Sequence, residues 1–348
     1  MTTTHLIKKY NVAAPRYTSY PTVPYWQTNR WSEQQWLLNV KKVYEQSGHA
    51  GVSIYIHLPF CENLCTYCGC TTRITKNHGV EDPYVEAVIE EWRMYASMLG
   101  EKPKVKEIHL GGGTPTFFAP ENLEKLMLGI FQNAVLAEGA EFSFEAHPAN
   151  TTFTHLSTLY NLGFRRLSLG IQGFDPTVQE IINRRQTAEQ VERVTREARA
   201  LGYTSINFDL IYGLPLQRLS TVEDSVSKVI KMLPDRIAFY SYAHVPWVKP
   251  GQRRYSEADL PGDEEKRLLY ERGREMLLGA GYHDIGMDHF ALPTDSLLKA
   301  SRSGTLHRNF MGYTHQYTEL CIGLGVSAIS DSLYAFAQNV KVVEPYLT

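Results

Sequence analysis

Residues 61–70 read Cys61-Glu62-Asn63-Leu64-Cys65-Thr66-Tyr67-Cys68-Gly69-Cys70, and they follow almost directly on the apolar run VSIYIHL at 52–58. Four of the five cysteines in the 348-residue chain fall within these ten positions. Three are spaced C-x3-C-x2-C (Cys61, Cys65, Cys68), and Cys70 follows after one glycine. Thiolates this close on one loop can converge on a single soft metal centre. They are poorly placed for disulfides with one another, because near neighbours on a loop reach bridging geometry only with strain. A zinc site more often shows two separated C-x2-C pairs, or cysteines paired with later histidines. Three cysteines with no distant partner suggest an iron–sulfur cluster with one iron left open. The plain alternative is a reduced, cysteine-rich turn. The fifth cysteine, Cys321 in the apolar stretch TELCIGLGVSAIS, reads as a small buried hydrophobe.

Outward from this loop the chain alternates between strands and helices. VSIYIHL is a short strand rich in β-branched residues. DPYVEAVIEEWRMYASML has helical period, VKEIHLGGG is a strand ending in glycines, and PENLEKLMLGIFQNA is a helix. EFSFEAHP, RRLSLGIQ, TSINFDLIYGLP and RIAFYSYAHVP read as four further strands separated by helices, and a helix from Asp263 leads to a strand-like YHDIGMDHFA. Six strand–helix units imply a parallel sheet, because parallel neighbours need a crossover and a helix supplies it. Repeated right-handed crossovers curl such a sheet into a full or partial (β/α) barrel of TIM type, with a doubly wound open sheet as the alternative. The expected organisation is an N-terminal extension over 1–50, a (β/α) domain over 51–290, and a C-terminal part of the same catalytic domain over 291–348. In a barrel the chemistry gathers at the C-terminal ends of the strands, and the cysteine loop follows the first strand, so it occupies that face.

Net charge is −2, which argues against a general nucleic-acid binder. The start MTTTHLIKKYN lacks the apolar core of a signal peptide, and no apolar run approaches the ~20 residues of a membrane helix. A cytoplasmic location is therefore expected, and it suits thiols that must stay reduced.

Other polar groups end the strands. Gly111-Gly112-Gly113-Thr114-Pro115-Thr116 closes the second strand, and glycines there let the backbone approach a ligand closely. Glu145 ends the third strand and Gln172 the fourth, and Arg184 lies in INRRQ, where it reads equally well as a surface helix residue. Asp209 sits inside the apolar strand NFDLIY, where a carboxylate is costly unless it is paired or bound to something. Tyr55 and His57 share one face of the first strand.

The C-x3-C-x2-C spacing, with Tyr67 before the third cysteine, resembles the radical S-adenosylmethionine enzymes. Cys70 (making C-G-C), PRYTSYPT near the N-terminus and IGMDHFA, HRNFMGYT and GLGVSAIS near the C-terminus narrow this. Together they are similar to the oxygen-independent coproporphyrinogen III oxidases (coproporphyrinogen dehydrogenases) of haem biosynthesis. The resemblance implies that Cys61, Cys65 and Cys68 hold a 4Fe-4S cluster whose open iron chelates S-adenosylmethionine. It also implies two S-adenosylmethionine molecules: Tyr55, Gly112, Glu145 and the backbone at Ile329 would contact the first. Tyr67, Gly113, Thr114, Gln172, Arg184, Asp209 and Ala243 would contact the second. The sequence EAHP departs from an E-V-D-P form associated with the family, so only the glutamate itself carries over.

The reaction so implied is oxidative decarboxylation of two propionates of coproporphyrinogen III to give protoporphyrinogen IX, through a 5'-deoxyadenosyl radical and without oxygen. It needs no general base from the protein. A flavodoxin- or ferredoxin-type carrier would supply electrons to a monomeric enzyme. His307 and Arg308 are candidate anchors for the anionic tetrapyrrole, since guanidinium forks suit carboxylates. Family members continue into a helical C-terminal domain, whereas this chain stops at EPYLT, so that domain is expected to be absent. Related radical S-adenosylmethionine methyltransferases or cyclopropanases, and a haem-binding chaperone group associated with loss of the fourth cysteine, are the neighbouring alternatives. A zinc-stabilised structural protein is the remote one.

Overall fold

The structure is a computed structural model and describes residues 9, 22–26, 31–100 and 102–348. Most of the PRYTSYPT segment lies outside the described residues. Among the described residues, eleven strands form one sheet. In chain order they are β1 (Val52–Leu58), β2 (Lys104–Gly112), β3 (Val135–Ala146), β4 (Phe164–Gln172), β5 (Ser205–Tyr212), β6 (Arg236–Ser241), β7 (His283–Gly286), β8 (His289–Ala291), β9 (Leu320–Leu324), β10 (Ile329–Ser332) and β11 (Ala335–Gln338). Their order across the sheet is β11-β10-β9-β1-β2-β3-β4-β5-β6-β8-β7. From β9 to β6 every pairing is parallel, and the pairs at both edges are antiparallel.

Among the described residues the edge strands β11 and β7 do not pair with each other, so the sheet is open rather than a closed barrel. The six expected parallel strands are all present. A seventh, β9, joins on the far side of β1, with Tyr55 level with Gly323. The sequence pattern marks this GLGVSAIS region only as an apolar segment. YHDIGMDHFA forms the antiparallel hairpin β7–β8.

The crossovers are α2 (Glu81–Met98), α3 (Pro120–Gln132), α4 (Phe153–Asn161), α6 (Ala188–Leu201), α7 (Leu219–Met232) and α8 (Asp263–Gly279), numbered from α1 (Glu33–Gln46) with α5 (Pro176–Ile181) between α4 and α6. Their starts are chemically specified. Ser32, Thr152 and Thr187 each begin a capping box, satisfying donors the first turn leaves unpaired. In α2 the buried positions Tyr84, Val85, Val88, Ile89, Trp92, Tyr95 and Ala96 recur at helical spacing and face the sheet. On the outer sheet face Ile54, Ile56, Ile108, Leu110, Phe142, Phe144, Leu167, Leu169, Phe208, Ile237 and Phe239 are buried under these helices in one core.

The inner face is different. One row across the strands runs Tyr55–His109–Ser143–Arg166–Ser205, and another runs Glu145–Ser168–Asn207–Arg236. Barrel interiors are ordinarily filled by branched apolar side chains. Here the inward positions are polar, and they surround a cavity of about 1090 Å³.

Candidate active site

The cysteine loop is pinned at both ends. Phe60–Cys61 pairs in parallel with Arg73–Ile74, and Thr75 N donates to Cys61 O at 2.9 Å. Thr114 N donates to Phe60 O at 3.0 Å, Thr66 N to Ile182 O at 2.9 Å, and Asn183 Nδ2 to Leu64 O at 2.8 Å. The loop is thus tied to the ends of β1, β2 and α5. All five cysteines are free thiols. Cys61, Cys65, Cys68 and Cys70 line one part of the cavity, while Cys321 is buried in β9.

Each thiol has a distinct environment. Cys61 Sγ lies 3.3 Å from Thr114 Oγ1, and burial pushes its thiol up to about 11. Arg184 Nη1 lies 3.6 Å from Cys65 Sγ. Cys70 donates a hydrogen bond to Cys68, which draws the Cys68 thiol down and keeps the proton on Cys70. No group of three metal-binding side chains is already gathered into a ligand set among the described residues. The donors nevertheless fit an iron–sulfur cluster in chemistry: three soft thiols on one pinned loop, facing one cavity.

The glycine turn after β2 packs too closely for any side chain. A Cβ on Gly113 would stand 2.5 Å from Pro59 O, and one on Gly112 (φ 112°) would stand 2.8 Å from the His57 ring. Gly112 N donates to Glu145 Oε2 at 3.3 Å, and His109 Nε2 lies 3.4 Å from Glu145 Oε1. His109 Nδ1 lies 2.8 Å from Ser143 Oγ, and its ring stacks on Tyr55.

His57 acquires a role that sequence reading left open. Its Nε2 lies 2.9 Å from the carbonyl of Thr71, which can only accept, so Nε2 carries the hydrogen. Nδ1 then accepts from the Tyr55 hydroxyl at 3.0 Å. Burial lowers the pKa of His57, in keeping with this neutral form. His57 therefore holds Tyr55 and the far limb of the cysteine loop together.

Arg184 is not a surface helix residue. It follows α5 and is only 8% exposed. Its Nη2 donates to Gly170 O at 2.5 Å, and its buried Nε has no hydrogen-bond partner among the described residues. Such an orphaned guanidinium donor fits a ligand carboxylate. Asp209 accepts from Ser168 Oγ and Asn207 Nδ2, both at 2.9 Å. Burial, reinforced by the charge of Glu145, raises it to about 6. Gln172 ends β4 in a left-handed conformation (φ 64°) and faces the same cavity.

Eleven of the fourteen sequence-chosen residues line this cavity: Cys61, Cys65, Tyr67, Cys68, Gly112, Gly113, Thr114, Glu145, Gln172, Arg184 and Asp209. Tyr55 stands behind its wall against Gly111 and His109. Ala243 lies in the loop after β6, where its carbonyl accepts from Gln252 Nε2 at 3.2 Å. Ile329 is on β10, its backbone pressed against Gly323. His307 and Arg308 lie on a small hairpin, His307–Asn309 with Gly312–Thr314, and are not among the cavity-lining residues, although Asn309 and Tyr313 of the same hairpin are. Sequence reading missed His109, Ser143, Ser168, Asn207, Arg166 and Arg236. The available signal was the polar alternation in VKEIHLGG, EFSFEA, RRLSLGIQ and SINFDLIY.

Residues 55–229 match the model of the Radical SAM superfamily. Two curated relatives, both called oxygen-independent coproporphyrinogen III oxidase, are much closer in sequence. The protein from Pseudomonas aeruginosa is 41% identical over 346 residues, which is 99% of this chain and 74% of that one. The protein from Escherichia coli is 39% identical over 341 residues, 98% of this chain and 73% of that one. The solved structure of the Escherichia coli coproporphyrinogen III oxidase, described as a radical SAM enzyme, superposes with a TM-score of 0.91 at 37% identity, covering 99% of this chain and 76% of that one. The chain belongs to the oxygen-independent coproporphyrinogen III oxidase family of the radical SAM superfamily.

Proposed function

We propose that the chain oxidatively decarboxylates two propionates of coproporphyrinogen III to give protoporphyrinogen IX without oxygen. The observation that carries this reading is the joining of the pinned thiols Cys61, Cys65 and Cys68 to one large cavity lined by polar side chains, in a chain so similar to these oxidases. When bound, a 4Fe-4S cluster and S-adenosylmethionine would supply the radical chemistry for removing a hydrogen β to the substrate carboxylate.

The chain's own residues bind, orient and exclude water. Cys61, Cys65 and Cys68 would hold the cluster, and the fixed loop keeps them on one side of the cavity. Glu145, held by Gly112 N and His109, would take the amino end of a first S-adenosylmethionine, with Tyr55 beneath it and the backbone at Ile329 nearby. Arg184 would pair with the carboxylate of a second molecule, and Asp209 and Gln172 would accept and donate to its polar groups. Tyr67, Gly113, Thr114 and the backbone at Ala243 complete that set. Members of both sets of contacts lie on one cavity of about 1090 Å³, the size of a generous single-ligand pocket. No side chain is assigned as a general base, because loss of carbon dioxide, with one electron passing to a one-electron acceptor, leaves the vinyl group without one.

On this reading the enzyme works as a monomer in a reducing cytoplasm, supplied with electrons by a flavodoxin- or ferredoxin-type carrier. No helix among the described residues is long and apolar enough to cross a membrane. The deciding experiment is an anaerobic assay of reconstituted protein with coproporphyrinogen III, S-adenosylmethionine and reductant. Protoporphyrinogen IX together with 5'-deoxyadenosine is the expected outcome. A methylated or cyclopropanated product, or tetrapyrrole bound without turnover, would refute it.

A further inference from the structure

The segment after β6 carries a surface that the chemistry above does not use. Trp247 is 72% exposed and Val248 62% exposed, on a turn closed by Val248 N and Lys249 N donating to Val245 O, each at 2.9 Å. The two form an adjoining exposed apolar pair, and Trp is enriched among the residues that carry interface binding energy. Lys249, Arg253 and Arg254 surround them, and none makes an ion pair with a carboxylate among the described residues. Carboxylates on this segment begin only at Glu257 and Asp259, and Asp259 is engaged by Ser256 N and Oγ.

This ledge is fastened to the cysteine loop. Lys249 Nζ donates to Cys70 O at 3.2 Å. Gln252 is 1% exposed, and its Oε1 accepts from Val245 N at 2.6 Å while Nε2 reaches Ala243 O and, at 3.5 Å, Tyr67 O. A Cβ on Gly251 would lie in van der Waals contact with Leu64 and Thr66. A protein seated on Trp247 would therefore rest against the outer wall of the thiol loop.

We propose that the ledge Pro246–Arg254 is the docking surface for a small acidic protein that delivers single low-potential electrons. The proposal deepens the radical reading, which it requires. Reductive cleavage consumes one electron per radical, so the carrier gives up one electron and the cluster gains one, with no atom transferred. Tunnelling rates fall steeply with distance, so the carrier must approach the cluster-bearing loop, and this apolar, cationic surface is tied to that loop. The apolar pair would supply the contact and the cations would steer and orient an acidic partner.

The test uses reconstituted holoenzyme, a purified flavodoxin as the probe, and two variants, Trp247→Glu and Arg253→Glu/Arg254→Glu. Calorimetric affinity for flavodoxin should weaken about tenfold or more in each, and the wild-type affinity should fall as salt rises. Cluster bleaching by flavodoxin hydroquinone should slow in parallel, whereas bleaching by dithionite should stay at the wild-type rate. Unchanged flavodoxin affinity in both variants would overturn the proposal. So would a concentration-dependent dimer that Trp247→Glu disperses, because a second copy would then own the surface. A protein with no dithionite-reducible cluster would instead defeat the functional reading itself.

Discussion

Arg184 Nη1 stands 3.6 Å from Cys65 Sγ, while Nη2 of the same guanidinium holds Gly170 O at 2.5 Å. One side chain thereby connects the thiol loop to the mouth of β4 and still leaves Nε without a partner among the described residues. Arg184→Met keeps the length and removes the charge. Hydrogen bonds to charged groups contribute about 1.5–3 kcal/mol, so S-adenosylmethionine affinity should drop by roughly 10–100-fold. Iron content should stay at the wild-type level. Equilibrium dialysis with labelled S-adenosylmethionine, beside iron analysis, separates the two; equal affinity in the variant would refute the assigned contact.

Cys61, Cys65 and Cys68 differ from Cys70 in what their loss should do. Replacing any of the first three with Ala should remove the cluster, with its iron, its sulfide and its broad absorbance near ~400 nm. Cys70→Ala should keep all of these, since Cys70 is tied to Cys68 as a hydrogen-bond partner and lies beyond the three ligands needed. Iron and sulfide analysis of the four variants after anaerobic reconstitution checks this. Loss of iron in Cys70→Ala would mean a fourth thiolate ligand.

The parallel core was legible because strand and helix periods alternate plainly from Val52 to Gly279, and the cysteine spacing declared its own chemistry. β9 was not legible. It is five residues long, lacks a helical crossover of the usual kind, and finds its place only by pairing with β1 from the far end of the chain. The inner polar rows are visible in the sequence as alternation within the strands. A parallel strand covered on both faces reads as a continuous apolar run, so the alternation Arg166–Ser168 and Ser205–Asn207–Asp209 was itself the mark of a cavity behind the sheet. Arg184 was ambiguous because its burial depends on Gly170 and Cys65, which are distant in sequence. Ala243 and Ile329 were chosen for backbone contacts, which leave no side-chain pattern to read.

Asp209 should impose a pH dependence on ligand binding. Its pKa is raised to about 6, from an ordinary value near 4, chiefly by burial. The folded state therefore holds this proton more tightly than the unfolded chain, so the group favours folding at low pH. That advantage is lost as pH rises from about 4 through 6, leaving a destabilising charge at neutral pH. Asp209→Asn should melt no lower than wild type at pH 7.5, yet bind S-adenosylmethionine at least about tenfold more weakly. In the wild type, affinity should decline as pH falls through 6, and this decline should vanish in the variant. Thermal melts and ligand titrations between pH 5 and 8 test both statements, and a variant that melts much lower would show the carboxylate to be structural.

Beneath the cavity, Arg236 and Asp295 form a buried ion pair at 2.8 Å, and the same carboxylate caps α9 (Ser296–Ser303) through Leu297 N and accepts from Ser205 Oγ. Burial lowers Arg236 to about 10, but it remains charged at neutral pH. Removing one partner leaves the other charge uncompensated, so Asp295→Ala should cost about 3–5 kcal/mol. Replacing both, as Arg236→Met/Asp295→Leu, removes the stranded charge and should cost less than the single change. Urea unfolding of the three proteins measures this order. If the double variant were the weakest, the pair would be contributing net stability rather than balancing its own desolvation. The floor of the barrel would then be held by charge, as its outer face is held by packing.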